Sequence, residues 1–181
     1  MSVLSATGVL NPAQADAYST ALLDLLGNQD PVRILRETPA ALRRALDRIP
    51  QQHVTTPEAP GKWSAATVLA HLSDSELVGA FRLRMILAHE RPALAPYDQD
   101  LWAARLHYER VRPTESLERF TVLRQANLVL WAQASDDELA RVGLHGERGE
   151  ESVERMRRLY AGHDLAHLRQ LERIHAALPT R

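Results

Sequence analysis

The sequence predicts an all-α fold, an antiparallel four-helix bundle with an extra helix at its N-terminal end. Helix-start signals recur along the chain, each a polar cap followed by proline or by a helical run. Branched apolar residues fall at three- and four-residue spacings, and no stretch of two-residue alternation sits between turn signals. Long helices joined by moderate loops pack as a bundle, whose interior commonly holds metal sites.

The elements follow in order. Asn11 caps Pro12, and Gly27 closes a first helix containing Leu22, Leu23, Leu25 and Leu26. Asp30-Pro31 opens a second, read as broken or kinked near Thr38-Pro39 and ending about residue 49. Residues 49–63, with three prolines and a glycine, form a loop. Ser64 caps a long helix to about His89, with Gly79 its weak point. Residues 91–102 are interrupted by proline, with a short helical turn near 100–107. Pro113-Thr114 opens a helix to about Ala134, residues 141–150 form a Gly-rich polar connection, and residues 151–178 are helical up to Pro179. This divides the chain into an N-terminal helical extension, 1–29, and a single bundle domain, 30–178.

With 181 residues, 45% of them apolar, the chain can bury a core without staples. Its 22 basic and 23 acidic residues give a net charge of −1, which offers no field for a phosphate backbone or an anionic lipid surface. Nucleic acid and membrane are therefore not expected partners; a small-molecule substrate is. Cysteine is absent, so a soft-metal site must use histidine. No basic leader with an apolar core opens the chain, and the expected location is cytoplasmic.

In the last helix Val153, Met156, Leu159, Tyr160, His163, His167, Leu171 and Ile174 form one stripe, opposite Glu154, Arg158, Arg169 and Glu172. Two imidazoles in an apolar stripe need polar partners, and residues four apart can converge on one ion. A hydrogen-bonded core pair is the alternative. His71 adds a third imidazole from the inner side of the long helix. Three neutral imidazoles leave a fourth position open, as in catalytic sites, where an ion acidifies bound water or thiol and polarises a carbonyl. Zinc or nickel suits such ligands, with manganese or iron as further options.

Around this set, Ser75 and Gly79 would leave room for water or substrate, and Arg82 would meet an anionic group. Asp74 and Asp164 are candidates to orient an imidazole, although an exposed helix carboxylate is the simpler reading of both. His145, with Glu147 and Arg148, is a candidate for the site mouth; Tyr97, Asp98 and Asp100 form a similar cluster, although loop chemistry and helix capping are the simpler reading of both. His53, His89, His107 and His175 read as surface residues. HDLAH differs from the H-E-x-x-H protease signature, having Asp164 in place of the glutamate.

GKWSAATVLAHLSDSE and HGERGEESVERMRRLYAGHDLAHLRQLERI together resemble the DinB and YfiT-like superfamily of metal-dependent enzymes, over about residues 30–174. The resemblance implies a four-helix bundle with a histidine triad at His71, His163 and His167. It also implies a zinc or nickel ion, a homodimer, and, in some members, transferase chemistry with a low-molecular-weight thiol such as bacillithiol or mycothiol. Arg82, and then Arg84, would hold that cofactor's carboxylates. The expected activity is thus a thiol-dependent S-transferase, with a metal-dependent hydrolase or a non-catalytic metal-binding stress protein as alternatives.

Overall fold

The computed structural model describes residues 11–179. Helix α1 (Pro12–Leu26) starts with a reciprocal cap: Asn11 Oδ1 accepts from the Gln14 amide at 3.0 Å, and Gln14 Oε1 accepts from the Asn11 amide at 3.1 Å. Gly27 closes it at φ +57°, in the left-handed region glycine tolerates.

Helix α2 (Pro31–Asp47) corrects the expected break, for it runs through Thr38-Pro39 without interruption. Proline offers no N–H to the carbonyl four residues back. That carbonyl, Leu35 O, instead accepts from Arg124 Nη1 at 3.0 Å, so the interruption is repaired from a neighbouring helix.

Helix α3 (Ala65–Ala88), capped by Ser64, leads into strand β1 (Ala93–Leu94), short helix α4 (Gln99–Arg105) and a 3₁₀ turn at Tyr108–Arg110. Then come α5 (Pro113–Gln133), α6 (Asp136–Ala140), β2 (Val142–His145), β3 (Gly149–Ser152) and α7 (Val153–Ala176). The Gly-rich connection expected as a loop is therefore a hairpin. β2 pairs antiparallel with β3, His145 opposite Gly149, and Gly149 takes φ +70° where the turn re-enters the strand. β1 adds to it in parallel, Ala93 beside Leu144. Strands this short show too little alternation to register in sequence.

Two apolar clusters fix the helix directions. One joins the end of α2 (Leu42, Leu46) and of α7 (Leu171, Ile174) to the starts of α3 (Val68, Leu69) and α5 (Leu117, Phe120). The other joins the starts of α2 (Ile34, Leu35) and α7 (Val153, Met156) to the ends of α3 (Leu83, Ile86) and α5 (Trp131). So α2 and α7 run one way, α3 and α5 the other, and the long crossover 89–112 is what lets successive helices α3 and α5 run parallel. No helix among the described residues is long and apolar enough to cross a membrane.

Between the clusters lies a buried polar layer. Arg124 on α5 donates to Asp164 on α7 at 2.5 and 3.1 Å and to Glu76 on α3 at 2.9 Å, while Asn127 donates to Glu76 at 2.8 Å. With the bond to Leu35 O, one guanidinium ties all four bundle helices. Asp164, expected at the surface, is 1% exposed: burial raises its carboxyl pKa and Arg124 opposes that rise.

Candidate metal centre and its cavity

His71 reaches this layer from α3, and His163 and His167 from successive turns of α7. Their Nε2 atoms converge: His163 Nε2 stands 3.1 Å from His71 Nε2 and 3.1 Å from His167 Nε2. Nitrogens bound tetrahedrally at about 2.0 to 2.1 Å sit about 3.3 Å apart, so the spacing already suits one ion. Burial, then its neighbour His167, holds His71 well below the ordinary histidine pKa; burial, His167 and His71 do the same to His163. Burial pulls His167 down to about 4. All three rings are neutral at pH 7, as metal ligation requires.

Protons alone serve this cluster poorly. Gln170 Oε1 lies 2.8 Å from His167 Nδ1, which places that ring's proton on Nδ1 and leaves Nε2 a bare acceptor. A proton on His163 Nε2 cannot point at both neighbours at once, whereas a cation at the convergence point accepts all three lone pairs. The donor set therefore fits a divalent ion. Trp63 covers the rings from one side, its ring centre 4.9 Å from that of His71 and its plane nearly parallel to that of His167 at 6.5 Å.

Beside the rings opens a cavity of about 820 Å³, a volume that includes its solvent-facing mouth. His71 and His163 line it, with Ser75 and Arg82 from α3, His145 and Arg148 from the hairpin, and Tyr97 from the crossover. Helix α1 supplies the remaining wall through Tyr18, Ser19 and Leu22. It comes close because Gly162 has no side chain: a Cβ there would stand 2.2 Å from Leu22 O.

The other candidates separate clearly. Arg82 and His145 reach the cavity; Arg82 donates to Ala95 O at 2.5 Å, its guanidinium 6.0 Å from the Tyr97 ring centre. Asp74 meets no imidazole, for its Oδ2 accepts from the Tyr108 hydroxyl at 2.6 Å. Asp164 serves Arg124, not a ligand histidine. Arg84 turns away to Asn127 and Ala80 O. Gly79 does not hold open space: the Tyr160 ring occupies it, 2.5 Å from where a Cβ would be. Asp98 caps α4 by accepting from the amides of Asp100 and Leu101.

Several contributors went unnoticed in sequence. Gln170 had a signal, lying three residues past His167 on the same helix face. Arg124 and Asn127 had one too, since they interrupt the stripe Leu117, Phe120, Trp131. Nothing local marked Trp63 or α1 as walls.

The DinB superfamily model matches residues 34–171, most of the chain and all three histidines. The chain belongs to the DinB superfamily. Among DinB-like relatives, YfiT of Bacillus subtilis, named a candidate metal-dependent hydrolase, is 28% identical over 146 residues, covering 78% of this chain and 82% of YfiT. A relative from Oceanobacillus iheyensis with the same designation is 27% identical over 135 residues, covering 74% of this chain and 77% of its own. The solved structure of YfiT, described as having an unusual four-helix bundle topology, aligns with a TM-score of 0.75 at 26% identity, over 80% of this chain and 83% of that one.

Proposed function

We propose that the protein is a metal-dependent hydrolase of a small-molecule substrate, with His71, His163 and His167 as ligands to one divalent ion. The observation that carries this is the convergence of three neutral Nε2 atoms beside a cavity open to solvent. A divalent ion bound there supplies Lewis acidity, polarising a carbonyl or phosphoryl oxygen and acidifying water.

The chain's own residues prepare the site. Gln170 fixes the His167 tautomer, Trp63 keeps water from one side of the rings, and the Arg124–Asp164 pair holds α7 so that His163 faces α3. The relatives' names favour hydrolysis over the thiol transfer expected from the resemblance, since the matched names refer to hydrolases and to no thiol.

The test is a panel of ester, amide and lactone substrates with zinc-, nickel-, manganese- and iron-loaded protein, beside bacillithiol, mycothiol and glutathione with an electrophile. Hydrolysis abolished by chelator and by His163→Ala is the expected result. Thiol-dependent turnover without hydrolysis would reverse the assignment.

A further inference from the structure

Beside the three histidines, the cavity wall holds hydrogen-bond donors with no acceptor. Arg82 is 5% exposed, and its Nε–H is buried without a partner. It enters no ion pair among the described residues. His145, 3% exposed, accepts at Nδ1 from the amides of Glu147 at 3.2 Å and Arg148 at 3.4 Å. Its ring proton therefore sits on Nε2, and Nε2 too is buried without a partner. Burial, then Arg148 and Arg82, draws the His145 pKa to about 3, so the ring stays a neutral donor. Buried donors left unmatched are rare and mark a missing ligand or water.

We propose that Arg82 and His145 form a subsite for the carboxylate of a small substrate or product in the cavity that His71 and His163 line. This rests on the reading of that cavity as the substrate site. Charge selects the carboxylate. Arg148 is already matched by Glu151, at 2.6 and 3.1 Å, which leaves Arg82 as the wall's unmatched cation. One cation and two planar N–H donors suit a monoanion with two oxygens. A phosphate dianion would bring a second negative charge beside Glu147, which also lines the cavity.

The test uses full-length protein labelled with ¹⁵N-histidine, in zinc-loaded and zinc-free forms, titrated with benzoate, its neutral counterpart benzamide, and inorganic phosphate. Benzoate should move the His145 Nε2 resonance saturably in both forms, with benzamide and phosphate at least tenfold weaker. Arg82→Gln should weaken benzoate at least tenfold while zinc stoichiometry stays unchanged. If that variant loses the wild-type melting profile, the wild-type His145 response decides. The subsite is overturned if benzamide binds as well as benzoate, if a folded Arg82→Gln protein binds benzoate normally, or if His145 does not respond, as when water alone satisfies these donors. A His145 response without zinc binding would reject only the metal assignment; zinc binding with a silent His145 would reject only the subsite.

Discussion

Replacing Arg124 with Met should be among the most damaging single changes in the bundle. The guanidinium is 1% exposed and donates three bonds to carboxylates and one to the Leu35 carbonyl freed by Pro39. Its loss leaves Asp164 and Glu76, 1% and 3% exposed, without a cation. Breaking a buried pair from one side costs about 3 to 5 kcal/mol. For a chain of this size that lowers Tm by about 6 to 20 °C. The deficit carries a pH signature. In the variant nothing opposes the burial that raises the Asp164 carboxyl above its unfolded value, so the native state binds more protons and its stability falls as pH rises. Urea denaturation of variant and wild type should show the full gap at pH 7 and a smaller one near pH 4.5. Adding Glu76→Gln and Asp164→Asn should recover part of the loss. A variant within about 1 kcal/mol of wild type, or a gap that does not change with pH, would refute a central role for this layer.

Other outcomes follow from the same geometry. In metal-free protein His167 falls from 6.5 to about 4, so the unfolded state takes its proton first; about 3 kcal/mol of stability present above pH 6.5 should be lost as pH drops toward 4, a slope that His167→Gln reduces in denaturation curves. Gly162→Ala drives a Cβ against Leu22 O and should cost about 1 to 3 kcal/mol, with α1 amides exchanging faster than those of α3 in hydrogen-exchange measurements. Gln170→Leu removes the acceptor that orients His167 and should weaken zinc about 10- to 100-fold in competition with a chelating dye, with little change in fold.

How far the sequence could be read depended on whether the cause was local. Asn11, Asp30 and Ser64 announce their helices because a cap is satisfied within three residues. His163 and His167 announce themselves because helical period places them inside an apolar stripe. Pro39 misled because its remedy, Arg124, lies on another helix, and Asp164 read as exposed for the same reason. The hairpin escaped because its strands have four residues each and two of the eight are glycines, Gly143 packed against Leu94 and Gly149 at φ +70°. The cavity was the least legible feature: α1, α3, the crossover, the hairpin and α7 all line it, and no short segment encodes their meeting.

The most direct test of the three-histidine centre is X-ray absorption and anomalous diffraction on zinc- or nickel-loaded protein, beside the His163→Ala variant. One ion per chain, with three imidazole nitrogens at about 2.0 to 2.1 Å from His71, His163 and His167, is the expected result. Metal held elsewhere, or full occupancy retained by His163→Ala, would contradict it.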